Sequence, residues 1–396
     1  MDKGTIIYLG GFELPDKNAA AHRVVANAKI FCELGYKVCF IGISNVVSDK
    51  KIKKEVFFGF DSWSIPYPQN RIDWLKYISG PSALFELLKE QLRLNKVVGV
   101  VCYNYPAMAQ LRIKRLCKSS NIRVISDATE WYDTSSGNIL HRLVKFIDTS
   151  LRMLWVNQRV DGIITTSKYL TSFYRRRGKL VVELPTLFDA ARFKSPLVRD
   201  SNLIKFIYVG SPFDSGRVNK HRSNLKERLD VCVEIFYQLY KIGENFKFSI
   251  YGVTEEEYLK VFSEHACILQ EMQGCVSFNG RQPHQLVLEK IASSDFSIFF
   301  RDKTRVTMAG FPSKLAESVS CGTPVISNVM VSLENYEEAE GLFLAKRGEE
   351  LELVKKLLRL TSAEINVIKQ STYLSGTFDY KNYTLQVASF FDEIGV

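Results

Sequence analysis

Gly310-Phe311-Pro312-Ser313-Lys314-Leu315-Ala316-Glu317-Ser318-Val319-Ser320-Cys321-Gly322-Thr323-Pro324-Val325-Ile326-Ser327 is the stretch on which the fold turns. It reads as a loop, a helix starting near Pro312, a stop at Gly322 and a buried strand. Proline suits a first helical turn because its missing N–H needs no partner there. Glycine past the last turn accepts the left-handed backbone that ends a helix. The N–H groups of Ser313, Lys314 and Leu315 are expected to point out of the helix start, which carries partial positive charge and can hold a phosphate. Lys314 adds a full charge. Glu317, one turn on, is placed to accept hydrogen bonds from two neighbouring hydroxyls, such as those of a ribose.

Outward from this stretch, short β-branched runs alternate with helical ones. Strands are expected at Ile6–Leu9, Lys37–Ile43, Val97–Cys102, Arg123–Ser126, Gly162–Thr165 and Val181–Leu184. A second series follows at Ile204–Val209, Phe246–Tyr251, Cys275–Asn279, Phe296–Phe300 and Pro324–Ser327. Helices are expected between them, among them Ala19–Leu34, Pro106–Cys117, Leu140–Arg159, Lys226–Tyr240, Gln285–Ser293 and Glu349–Leu360, with a last one over Tyr380–Ile394. Such alternation implies parallel sheets with helices on both faces. The polar segment 191–202, with Pro196, reads as a linker. The fold class is therefore α/β, with two Rossmann-like doubly wound domains facing a cleft. Residues 1–190 form the first, 203–378 the second, and 379–396 a C-terminal helix expected to return to the first. Ligands of such sheets bind beyond the carboxyl ends of the strands.

Composition bounds the function. The chain has 396 residues, 46% hydrophobic and 24% charged, which excludes a disordered, collagen-like or disulfide-dense chain. Residues 1–200 hold 31 basic and 18 acidic side chains, a balance of +13; residues 201–396 hold 22 and 25, a balance of −3. The basic half suits an acidic partner: phosphate groups or an anionic membrane surface. Nucleic acid is not expected, because no recognition module accompanies the charge. Met1-Asp2-Lys3 leads at once into a short apolar run, unlike a signal peptide, and no run of 18 apolar residues is present. Eight cysteines without a Cys-x-x-Cys pair read as the reduced thiols of a cytoplasmic protein.

The segment 310–327 resembles the donor site of family 4 glycosyltransferases, which have the two-domain GT-B fold. That family usually carries two glutamates with seven residues between them, followed by a stretch ending Cys-Gly-Thr-Pro-Val-Ile. Glu317 matches the second glutamate; Ala309 stands where the first is usual. The Phe-Pro-Ser-Lys variant is similar to that of bacterial surface-polysaccharide members. Ile7-Tyr-Leu-Gly-Gly-Phe-Glu-Leu-Pro15 resembles the N-terminal glycine loop, with Gly10 and Gly11 approaching the donor. Phe206-Ile-Tyr-Val-Gly-Ser211, which includes Gly210, opens the second domain as in the family. Lys226 is the best match to its phosphate-binding lysine, with Arg217, Lys220 and Arg222 in the same loop. The segments holding Arg281 and Arg301 match the region that usually holds the base.

The resemblance implies a retaining, metal-independent hexosyl transfer from a UDP-, GDP- or dTDP-sugar to a glycan or lipid-linked glycan, with no further cofactor. The basic first half adds the expectation of a cytoplasmic, peripheral place on the inner face of a membrane. Glu317 would bind the ribose, with Ser313 and Leu315 beside the phosphates. No Asp-x-Asp occurs in the sequence, so Lys226 and Lys314 would supply the charge a metal supplies elsewhere. Such cations favour a transition state in which charge grows on the leaving diphosphate. Asp127 and Glu130, at the end of an expected strand, are the candidates to orient or deprotonate the acceptor hydroxyl. Two other readings stand beside this one. Ala309 allows a nucleotide-sugar-binding protein without transfer. A nicotinamide-dependent oxidoreductase is disfavoured because Gly10-Gly11-Phe12 lacks the full Gly-x-Gly-x-x-Gly pattern. The stretches Leu140–Arg159 and Trp74–Leu94 interleave apolar residues with cations, as interfacial helices do.

Overall fold

The computed structural model describes residues 2–15, 19–46, 52–132, 139–193, 195–196, 199, 201, 203–213 and 225–396. The chain divides into two compact units. One comprises residues 1–189, 309–311 and 380–396; the other comprises 190–308 and 312–379. Arg217, Lys220 and Arg222 lie outside the described residues.

The first unit is built on β1 (Thr5–Gly10), β2 (Lys37–Ser44), β3 (Lys54–Phe57), β4 (Phe60–Pro66), β5 (Val97–Tyr103), β6 (Arg123–Ala128), β7 (Gly162–Thr165) and β8 (Val181–Glu183). Their order is β3-β4-β2-β1-β5-β6-β7-β8. All neighbours are parallel except β3 and β4. Every residue of β1 is buried, as expected where helices cover both faces. Side chains alternate along a strand. Ile6 and Tyr8 therefore join the cluster of Phe12, Phe31 and Phe40, while Ile7 and Leu9 join Leu84, Leu88, Ile113 and Tyr174. The helix Thr384–Ile394 completes the first cluster. Its Phe391 ring lies 5.0 Å from that of Phe31. Its Phe390 approaches Gly162 so closely that a Cβ there would meet the ring at 2.5 Å.

Two elements here depart from the sequence reading. The β3–β4 hairpin was not expected. Its two-residue turn is Phe58-Gly59, both at positive φ (53° and 84°), the primed geometry that matches strand twist. Phenylalanine gives no turn signal. The helix expected over Leu140–Arg159 runs as Ile139–Leu151 and then widens into a π turn over Arg152–Val156.

The second unit holds β9 (Ile204–Val209), β10 (Phe246–Tyr251), β11 (Val276–Phe278), β12 (Phe296–Ile298), β13 (Val325–Asn328) and β14 (Leu342–Ala345). All neighbours are parallel, in the order β11-β10-β9-β12-β13-β14. From β9 the chain first builds toward β11 and then crosses to β12, so the strand order reverses between β9 and β12. The rings of Phe206 and Phe296 stack, as do those of Phe236 and Phe248, and the two pairs meet edge to face at Phe206 and Phe236. The helix expected from Lys226 begins at Leu229. The backbone at Arg228 is still non-helical there, and its N–H donates to the Phe300 carbonyl at 2.8 Å.

The eight cysteines are free thiols, five of them buried. Among the described residues no helix is long and apolar enough to cross a membrane.

Candidate active site

In a doubly wound sheet the crevice opens where the strand order reverses. In the second unit that point lies between the carboxyl ends of β9 and β12. β9 ends in Tyr208, Val209 and Gly210; β12 leads into Phe299, Phe300 and Arg301. The helix Ser313–Ser320 brings Lys314 to the same place. Its Nζ sits 4.1 Å from the centre of the Tyr208 ring and 5.6 Å from that of Phe299. A Cβ on Gly210, at φ 140°, would lie 2.5 Å from that Nζ. That backbone angle favours glycine, and a Cβ would in addition displace the ammonium.

Glu227 joins these groups, and the sequence reading missed it. Its carboxylate accepts hydrogen bonds from the Lys314 ammonium, from Arg301 Nη2 at 2.8 Å and from the Tyr208 hydroxyl at 2.6 Å. Burial alone would raise the Glu227 carboxyl. The charges of Lys314 and Arg301, with the bonds from Lys314 and Tyr208, outweigh it and hold the group at about 2. Burial lowers the Lys314 ammonium and raises the Tyr208 phenol. The cluster thus holds two cations and one anion, a surplus of one positive charge in a dry setting. Arg301 is fixed through its backbone, its N–H donating to Asn328 Oδ1 at 2.9 Å. Its Nε and Nη1 are buried with no hydrogen-bond partner among the described residues. Buried donors are nearly always satisfied; Arg152 and Arg199 also keep two such nitrogens each, but those of Arg301 lie at the reversal point of the sheet.

Glu317 lies one turn beyond Lys314, half-buried, with Oε1 3.4 Å from His284 Nε2. Ser313 opens the helix and is half-buried. Leu315 departs from expectation: its N–H donates to the Pro312 carbonyl at 3.0 Å and its side chain is buried. Pro312 stands just before the helix, in extended geometry, so its carbonyl faces that amide. Lys226 is exposed in the turn before the helix Leu229–Lys241, and its neighbour Glu227 points inward. Arg281 is exposed and lies 3.9 Å from Glu257, so it does not join the Arg301 cluster.

The remaining candidates belong to the first unit. Gly10 packs against β5, where a Cβ would meet Tyr103 Cβ at 2.6 Å. Gly11 is beside Tyr77, whose hydroxyl would lie 3.4 Å from a Cβ. Glu130 is half-buried just after β6. Asp127 requires a correction. It is 0% exposed. Arg23 holds it through Nη2 at 2.7 Å and through Nε, and the Tyr8 hydroxyl donates to its second oxygen. Arg23 also donates to the Leu184 and Pro185 carbonyls at 2.7 and 2.9 Å. Asp127 is therefore the anchor of a buried network, closed to a substrate hydroxyl. Ala309 is buried too, and its carbonyl accepts the Ser167 hydroxyl at 2.8 Å.

Residues 215–363 match the sequence family described as Glycosyl transferases group 1. That span contains Glu227, Arg301, Lys314 and Glu317. A search of curated proteins finds no matching sequence. Among solved structures, sucrose-phosphate synthase from Thermosynechococcus elongatus is similar over 99% of each chain, with a TM-score of 0.69 and 11% identity. Anabaena Alr3699/HepE, in complex with UDP and glucose, is similar over 98% of this chain and 99% of its own, with a TM-score of 0.62 and 11% identity. An E. coli trehalose-6-phosphate structure bound with UDP-2-fluoro glucose gives 0.65 and 9% identity over 99% of each chain. The fold is GT-B. The family match over residues 215–363 supports a glycosyltransferase.

Proposed function

We propose that this chain is a retaining, metal-independent glycosyltransferase of the family 4 type. It takes a hexose from a UDP-, GDP- or dTDP-sugar and places it on a hydroxyl of a glycan or lipid-linked glycan in surface-polysaccharide assembly. One observation carries the reading. At the reversal point of the second sheet, Arg301 holds two idle buried N–H groups beside Lys314, in a cluster with a surplus of one positive charge. A leaving diphosphate gains charge in the transition state, and preorganised cations in a dry site stabilise it then most strongly. The similar HepE structure, in complex with UDP and glucose, favours a diphosphate donor.

In this reading Arg301 and Lys314, with Gly210 and Ser313, hold the diphosphate. Glu317, steadied by His284, takes the ribose hydroxyls, and Arg281 and Lys226 lie at the outer edge of the donor. Gly10 and Gly11 are kept for the donor, as the resemblance implies, and Glu130 serves the acceptor. The retaining outcome and the acceptor class rest on the family resemblance. A second reading is favoured by Ala309. With a buried alanine where a sugar-contacting glutamate is usual, the chain would bind the donor without transferring it.

Thermal unfolding with UDP, GDP, dTDP and their hexose conjugates tests the binding. Ligand at a hundredfold over its dissociation constant stabilises by about 2.7 kcal/mol. No response to any of them sinks both readings. Donor turnover separates the two, and the anomeric configuration of the product, measured with chelator present, tests retention and metal independence.

A further inference from the structure

Helices normally turn their apolar stripe inward. The helix Ile139–Leu151 and the π turn after it do otherwise. Ile139, Leu143, Phe146, Ile147, Leu154 and Trp155 are all exposed, Ile139 at 83% and Phe146 at 54%. The inward face is supplied by Thr149, Arg152, Met153 and Val156. With Leu151, also exposed, between Ile147 and Leu154, the outward row recurs at three- and four-residue spacing and forms one continuous stripe along the surface. Cations border it: Arg142 and Arg159 are exposed, Lys145 is half-buried, and the Arg159 guanidinium lies 3.6 Å from the centre of the Trp155 ring.

The stripe is continued by neighbours in the same unit. Asp148 of this helix accepts the Ala107 N–H at 2.8 Å, tying it to the helix Ala107–Lys118, whose Met108 is exposed. Arg112 of that helix donates to the Ser79 and Gly80 carbonyls, tying it to the helix Arg71–Ser79, where Ile72 and Leu75 are exposed beside Arg71 and an Asp73–Lys76 ion pair.

We infer that this face of the first unit docks on an anionic lipid surface, with the stripe over Ile139–Trp155 seated among acyl chains and Arg142, Lys145 and Arg159 at the headgroups. An apolar row flanked by cations, on a helix too short to span a bilayer, is the pattern of an interfacial helix. A second copy of the chain is the poorer occupant. An isologous dimer would set this cationic border against itself, and the acidic residue within it, Asp148, is already engaged. The inference goes beyond the sugar-transfer reading. Its test measures binding alone, so its failure leaves that reading untouched.

Flotation of the whole protein with vesicles of phosphatidylcholine alone, and of phosphatidylcholine with about one-third phosphatidylglycerol, tests it. The unmodified protein is expected to float with the anionic vesicles and to be released by salt. Leu143→Gln with Phe146→Gln, and separately Arg142→Glu with Lys145→Glu, should each lower partitioning by roughly tenfold or more. Val367→Gln, an exposed residue of the second unit, should change nothing. Failure to float with anionic vesicles overturns the inference, as does equal flotation of parent and both double variants. So does a parent that is dimeric by light scattering and becomes monomeric in the Leu143→Gln and Phe146→Gln variant without ever binding vesicles.

Discussion

Lys314 and Glu227, 87 residues apart in sequence, form a buried ion pair in which the ammonium also faces the Tyr208 ring. Among the described residues, Glu227 is the single counter-charge of both Lys314 and Arg301. Removing it strands two buried cations, at a cost of about 3–5 kcal/mol. Glu227→Gln should destabilise by that order in chemical denaturation. Combining it with Lys314→Met should recover part of the loss, because one of the stranded cations then leaves as well. Nucleotide affinity should stay low in the double variant. Restored affinity would mean that Lys314 serves stability only.

Arg301 separates the two duties. Its Nη2 holds Glu227, while Nε and Nη1 have no partner among the described residues. Lysine keeps the charge but not the planar fork. Arg301→Lys is expected to weaken nucleoside diphosphate binding at least ~tenfold, about 1.4 kcal/mol, in calorimetric titration. Nucleoside binding should change much less. An equal loss for both ligands would place Arg301 away from the phosphates.

Stability should fall steeply in acid. The Glu227 carboxyl is held at about 2 in the folded chain, against an ordinary value of 4.5. Its contribution is complete above pH 4.5 and is lost as the pH falls toward 2, because the unfolded chain takes up the proton first. Glu227→Gln should flatten that part of the stability curve. Denaturation midpoints measured between pH 5 and 2.5 check this, and parallel curves for parent and variant would refute it.

Asp127→Asn tests the corrected role of that residue. Arg23, itself buried, would lose its counter-charge, so stability should drop by about 3 kcal/mol or more. The folded fraction should turn over donor within a few-fold of the parent. A general base lost outright would lower the rate by roughly 10²–10⁴. Folding and turnover measured on the same preparation decide between them.

The sheet was legible in the sequence because its strands are buried on both faces. β9, β10 and β7 begin and end where their apolar runs do. The helix Ser313–Ser320 was equally plain, marked by Pro312 and Gly322. What escaped depends on partners distant in sequence. Glu227 follows Lys226 and looks like an ordinary solvated acid; only the folded chain brings Arg301 and Lys314 to it. Asp127 ends a strand as a catalytic group would, yet Arg23, 104 residues earlier, closes over it. The amide of Leu315 seemed idle until Pro312 proved to stand outside the helix. The β3–β4 turn escaped because Phe58-Gly59 adopts a geometry that asparagine and glycine usually announce.

The helix Thr384–Ile394 closes the core around Phe31, yet all of the second unit is translated before it. On the ribosome, the first unit must therefore wait with an unsealed hydrophobic face until residues 384–394 have emerged, after the whole of the second unit.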